Sequence, residues 1–244
     1  MIKQANLRPI GSLQDFINKN NRPSSTIIVP FSGTPSAKDL VESQGIPHTA
    51  ISHVKINGMD KPLTFNLSDG DKVTVYPFEE VANSKVPTKF KSPERFIADI
   101  HLGKLTKTLR LLGFDTCLNA KWKERDIIRI SNEEERMILT RDIGLLRHGD
   151  TETGYWIRNT DPDKQIKELF QRFKLSEHIL PFSRCMECNG KLSEVALSDI
   201  QNRVPPKVQE WHSLFYQCQG CKKIYWKGSH FKDLHLKVED LKLL

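Results

Sequence analysis

The rhythm of apolar and polar positions changes along this chain. In its first third the pattern is that of short strands and turns. Lys72-Val73-Thr74-Val75-Tyr76 alternates polar and apolar residues, as a half-buried strand does. Thr26-Ile27-Ile28-Val29 is rich in β-branched residues, and His53-Val54-Lys55-Ile56 runs into the turn dipeptide Asn57-Gly58. Ser68-Asp69-Gly70-Asp71 supplies a second turn. Ser36 is placed to cap a helix through about Ser43, with Ala37, Leu40 and Val41 on one face and Gly45 as its stop. A further short helix is expected over Gln14 to Asn20. Residues 81–93 carry turn-forming residues and no apolar period, so a linker is expected there.

From residue 95 strands and helices alternate. Phe96-Ile97-Ala98 is a short apolar strand ending in Asp99, and Leu102, Leu105, Leu109 and Leu112 line one face of the helix that follows, with Gly113 as its cap. Thr116-Cys117-Leu118 is a brief strand. A helix starting near Asp126 carries Ile127, Ile128 and Ile130. Met137-Ile138-Leu139-Thr140 and Tyr155-Trp156-Ile157 are further strands. Asp161-Pro162 opens a helix with the stripe Ile166, Leu169, Phe170 and Phe173. This alternation predicts an α/β fold with a mostly parallel sheet wrapped by helices.

Composition narrows the reading. Apolar residues make up 38% of the 244 positions, enough for a core, and charged residues 27%. The longest early apolar run, Ile27-Ile28-Val29-Pro30-Phe31, falls far short of the roughly 20 residues a spanning helix needs. With no signal peptide visible, a soluble, cytoplasmic protein without a membrane partner is expected. The net charge of +7 lies mostly beyond residue 90, where 27 Lys and Arg face 22 Asp and Glu. That balance favours a polyanionic partner.

Two features carry chemistry. Asp99 and Asp142 each follow an apolar strand, where open α/β sheets gather their functional groups. Asp126, at a helix start, can face the same edge, and Asp115 is a less well placed fourth acid. Converging carboxylates repel one another unless a hard cation such as Mg²⁺ or Mn²⁺ neutralises them. Such an ion can polarise a phosphodiester and activate water, while Lys104, Lys107, Arg110, Arg141 and Arg147 are placed to hold the phosphate backbone. The competing explanation is that each aspartate only caps a helix. The second feature is Cys185-x-x-Cys188 and Cys218-x-x-Cys221, 29 residues apart, which fits two knuckles on one closed, structural zinc site. Lys222, Lys223, Trp226, Lys227 and His230 offer charge and aromatic surface for nucleic acid, although Tyr225 and Trp226 equally suit the ribbon's own core. Cys117 reads as a buried apolar residue.

Two resemblances follow from these residues. Val54 to Gly58, with Asp69 to Pro77, resembles β-grasp domains of the ubiquitin-like and sulfur-carrier type. The unit runs on into Phe78-Glu79-Glu80 instead of ending in Gly-Gly, which implies a scaffolding role or the binding of a protein partner. Residues 95–233 resemble the mut-seven C-terminal RNase family, a PIN-like group with a zinc ribbon. The matching stretches are Phe96 to Asp99, Leu105 to Thr116, Ile138 to Asp142, Arg184 to Leu192, and Cys218 to His230. The chain departs from the family pattern at Ile100-His101 and Thr106-Lys107-Thr108. By this resemblance Asp99, Asp126 and Asp142 are the catalytic acids, with Asp115 as a fourth, and RNA is the substrate. The expected layout is a ubiquitin-like domain over 1–80, a linker over 81–93, a PIN-like nuclease over 94–180 and a zinc ribbon over 181–244. The expected activity is a metal-dependent endoribonuclease. The alternative is a non-catalytic nucleic-acid-binding protein that keeps the PIN-like fold. A phospho-acceptor module fits less well, because it needs an acidic pair after the first strand.

Overall fold

The computed structural model describes residues 2–17, 26–77, 95–229 and 231–243. The linker expected over 81–93 lies outside these residues. The first stretch holds β1 (Lys3–Pro9), a 3-10 turn at Gly11–Phe16, β2 (Ile27–Phe31), α1 (Ala37–Ser43), β3 (Ile51–Ile56), β4 (Met59–Lys61) and β5 (Lys72–Pro77). They form one sheet in the order β2-β1-β5-β3-β4. β1 runs parallel to β5 and antiparallel to β2, while β3 is antiparallel to both β4 and β5. Ala5, Leu7, Val54, Ile56, Val73 and Val75 point to one face and share a core with Ala37, Leu40 and Val41 of α1. The Ser36 cap is a complete capping box: its hydroxyl accepts from Asp39 N at 3.1 Å, and Asp39 accepts from Ser36 N at 2.9 Å.

Two expectations change here. The helix placed over Gln14 to Asn20 is instead the 3-10 turn at Gly11–Phe16, with residues 18–20 outside the described ones. Sequence reasoning also passes over β1. Only Ala5, Leu7 and Pro9 of that strand turn inward, between polar Gln4, Asn6 and Arg8, so its apolar signal is thin.

The second stretch contains β6 (Arg95–Ala98), α2 (Gly103–Leu111), β7 (Asp115–Cys117), α3 (Glu124–Glu133), β8 (Met137–Thr140), α4 (Ile143–Arg147), β9 (Gly154–Trp156) and α5 (Pro162–Phe173). β6 lies between β7 and β8 and is parallel to both. Its Phe96 and Ile97 are fully buried, along with Ile138, Leu105, Leu109 and Leu169. Phe114 makes edge contacts with Phe96 and Phe170, its ring centroid 6.0 and 6.1 Å from theirs.

The last stretch holds β10 (Leu192–Val195), α6 (Leu197–Ile200), α7 (Pro206–Trp211), β11 (Phe215–Cys218), β12 (Ile224–Trp226) and α8 (Phe231–Lys242). β11 pairs antiparallel with β10 and β12. Ile200, Val204 and Phe215 make a small core, against which Trp226 packs. The chain divides into two compact units: residues 1–91 with 142–156, and residues 92–141 with 157–244. The ribbon therefore shares a unit with β6, β7 and β8, while α4 and β9 fall in the unit that holds the N-terminal sheet, although β9 stands next to β8 in sheet order and not in the N-terminal sheet itself. Among the described residues, no helix is long and apolar enough to cross a membrane.

Candidate functional site

Asp99 stands directly after β6 and caps a short 3-10 turn, accepting from His101 N at 2.8 Å. It is 7% exposed. Its other oxygen accepts from the Thr140 hydroxyl and, at 3.2 Å, from Arg141 N. The neighbouring parallel strand β8 ends in Thr140, so the Thr-Arg-Asp stretch bonds back to the acid at the end of β6. Asp126 lies in the first turn of α3, half-buried, and accepts from Lys123 N at 3.0 Å. Asp142 is exposed and caps α4, accepting from Gly144 N at 2.7 Å. Asp99 and Asp142 are thus N-caps, and Asp126 bonds back from the first turn of its helix to the residue before it. Among the described residues, the cysteines form the group of three or more His, Cys, Asp or Glu side chains close enough to share an ion; the aspartates do not form a second such group.

Asp115 has another task. Its carboxylate accepts from Arg136 at 2.7 Å, Asn189 at 2.7 Å and Arg184 at 3.2 Å. Burial pushes this carboxyl up, but the bonds from Arg136 and Asn189 and the two nearby guanidinium charges outweigh it, and its pKa lies below the usual carboxylate range. With its acceptor positions occupied by cationic and amide donors, Asp115 is not a fourth metal ligand. Arg110 is corrected too. It is 5% exposed, and its guanidinium donates to the carbonyls of Thr116 at 2.8 Å, Met186 at 3.1 Å and Glu187 at 2.6 Å. It ties α2 to the first cysteine knuckle and is not available to a phosphate.

The remaining basic residues divide. Lys104 and Lys107 are exposed on α2, and Lys107 and Lys223 approach Glu187 from two sides at 3.5 and 3.3 Å. The cations of α2 and of the ribbon thus share a surface. Arg141 donates to the Asn159 carbonyl, and Arg147 to the Glu42 carbonyl at 2.7 Å, so both guanidinium groups are engaged within the protein.

The four cysteines meet. Their sulfurs all lie within 4.8 Å of one another, with Cys185–Cys221 at 3.6 Å and Cys188–Cys218 at 3.3 Å. Zn–S bonds of about 2.3 Å in a tetrahedron set sulfurs roughly 3.8 Å apart, so the donor set fits zinc. Gly190 is required beside it: a Cβ there would lie 2.7 Å from the Cys218 sulfur. Among the thiols Cys188 is drawn down to about 6, since donors from Gly190, Cys218 and Cys221 outweigh the effect of burial. Tyr225 donates to the Cys185 sulfur at 3.0 Å, a sulfur hydrogen bond that anchors β12 to the knuckle. Cys117 is half-buried, and burial pushes its thiol up. Sequence reasoning misses Arg184 and Asn189, which hold the ribbon to Asp115 of β7, and Arg136, which bonds the same carboxylate from immediately before β8. Arg184 and Asn189 flank the first knuckle, but their partner Asp115 is about 70 positions away and nothing local points to it.

The Mut7-C RNAse domain family matches residues 94–238, and the Mut7-C ubiquitin family matches residues 2–83. The solved structure described as "Crystal structure of SAMP1 from Haloferax volcanii" is similar at 15% identity, over 36% of this chain and 99% of that one, with a TM-score of 0.25. No curated protein matches. The RNAse-domain match alone spans more than half of the sequence and takes in the aspartates, the Thr-Arg-Asp stretch and both knuckles, and the chain belongs to the Mut7-C RNAse domain family.

Proposed function

We propose that this chain is a metal-dependent endoribonuclease in which Asp99, Asp126 and Asp142 recruit Mg²⁺ or Mn²⁺, with a structural zinc in the ribbon. The observation that carries the reading is the buried Asp99 carboxylate at the carboxyl end of β6, bonded to the Thr-Arg-Asp stretch that leaves β8. Carboxyl ends of parallel strands are where such sheets do chemistry. The family match supplies the ribonuclease class. Capping does not exclude ligation, because a carboxylate offers about four lone-pair positions and even the three donors on Asp99 leave one. When bound, the cation supplies charge neutralisation at the phosphodiester and an activated water. Lys104, Lys107 and Lys223 present cations for the RNA backbone. A protein partner for the ubiquitin-like domain remains part of this reading.

The second reading is a nucleic-acid-binding protein without catalysis. It is favoured by the caps that all three aspartates form and by the absence of a second ligand group among the described residues. One experiment separates the two. Labelled RNA is incubated with the wild type, Asp142→Asn and Asp142→Ala, with Mn²⁺, with Mg²⁺ and with EDTA. Asparagine caps a helix about as well as aspartate. Asp142→Asn is therefore expected to leave the melting temperature level while cutting the rate by on the order of a thousandfold. Asp142→Ala also loses the cap, which costs about 1 kcal/mol of stability. A wild type that binds RNA but never cuts it, or cutting that survives both EDTA and Asp142→Asn, overturns the nuclease reading.

A further inference from the structure

α4 has five residues, one of them Gly144, and a helix this short does not hold itself in water. Asp142 caps its first turn. The carbonyls at its other end would be left without intrahelical partners. The structure fills them. Thr151 Oγ1 donates to Leu145 O at 2.9 Å, and the buried Thr49 hydroxyl donates to Leu146 O at 3.1 Å. Thr49 belongs to the ubiquitin-like fold. So does His48, whose Nε2 bonds to the Thr151 carbonyl at 2.8 Å while Nδ1 bonds to Glu42 at 2.6 Å. Both partners accept, so the ring meets both when each nitrogen carries a proton. Arg147, in the last turn of α4, donates to the Glu42 carbonyl near the end of α1. Beneath these bonds Leu145 and Leu146 are buried, and the Phe16 and Trp156 rings lie 4.9 Å apart.

The ubiquitin-like fold thus grips α4 at the end opposite Asp142, in the same compact unit. Five residues at about 1.5 Å each make a lever of roughly 7.5 Å, too short to bend independently at its two ends. We propose that Glu42, His48 and Thr49 are positioning residues for Asp142: the ubiquitin-like domain is a built-in support for the strand-to-helix turn that carries this acid. The proposal rests on the nuclease reading for its catalytic consequence, while the support itself rests on the hydrogen bonds alone. It gives the domain a task that needs no free carboxyl terminus and no second protein.

The test uses the full chain. Thr49→Val keeps the side-chain shape and deletes the hydroxyl, Thr49→Ser restores it, and His48→Ala removes the imidazole bridge. Hydrogen exchange of the amides over 142–151 reports the support, and kcat and KM for RNA with Mn²⁺ report its consequence. In Thr49→Val and His48→Ala those amides are expected to exchange faster. kcat is expected to fall about ten- to a hundredfold, the scale of a misplacement near 1 Å, with KM unchanged. Thr49→Ser is expected to recover both. Unchanged exchange overturns the proposal, as does faster exchange with wild-type kcat. A rise in KM alone also overturns it, because it assigns these residues to RNA binding. A variant that no longer folds is recognised by lost zinc and a collapsed melting transition, and the remaining variants then decide. If the wild type does not cleave at all, the nuclease reading fails, and exchange alone decides whether the support exists.

Discussion

At the residue scale the sharpest consequence concerns Asp115. Its carboxyl lies below the usual range because the bonds from Arg136 and Asn189 overcome burial. The unfolded chain, with a value near about 3.9, therefore takes up a proton before the native state does. The stabilisation is whole above that value and is lost as pH falls through the lower folded value. Asp115→Asn should be less stable at pH 7 and show a shallower acid decline. Melting temperatures of both proteins from pH 7 to pH 2 check this, and parallel curves would count against it. The sequence shows Asp115 as an acid near a strand start but not its partners, because Arg136, Arg184 and Asn189 arrive from 21, 69 and 74 positions away. Arg110 misleads for the same reason: a buried arginine and a phosphate-binding one look alike until the carbonyls around it are known. Gly113 is half legible. Its role as a helix stop follows from the leucine stripe before it. The close passage of Leu180 does not: a Cβ at Gly113, where φ is +95°, would lie 2.2 Å from the Leu180 carbonyl oxygen.

At the element scale, local signals carry furthest. The Ser36 cap, the Asn57-Gly58 turn and the strands over Phe96 to Ala98 and Met137 to Thr140 follow from neighbouring residues and stand as expected. β1 depends on a partner 66 positions later, β5, and its own pattern is weak. The ribbon is a different kind of element. Three strands of three or four residues and a core of Ile200, Val204 and Phe215 bury little, so metal ligation and folding should be coupled. Metal analysis should find about one zinc per chain. A chelator strong enough to remove it should make the 185–226 segment protease-sensitive. Gly190→Ala should act in the same direction by forcing a methyl against the Cys218 sulfur, lowering zinc content while the strands β1 to β5 keep their exchange protection. Full zinc occupancy in Gly190→Ala would show that the knuckle opens freely and that the packing argument is wrong.

At the scale of the whole molecule, in the proposed reading the net charge of +7 and the shared cation surface of α2 and the ribbon meet an RNA backbone, and binding of that kind should be salt-dependent. Each lysine that neutralises a phosphate of a single strand contributes about −0.7 to the slope of log K against log salt. Lys107→Ala combined with Lys223→Ala should flatten that slope by roughly 1.4. An unchanged slope would place the RNA elsewhere. The two-unit division also bears on how the chain is made. Thr49 waits for Leu146, and His48 for Thr151, across 97 and 103 positions. At roughly 5–20 residues per second of synthesis, those partners emerge about 5–20 s after the residues that receive them. The N-terminal sheet, complete once residue 77 has left the ribosome, must present the Thr49 and His48 surface to water during that interval. The nascent chain therefore carries an unfinished docking face, and a pause or truncation before residue 151 leaves the nascent protein with that face open.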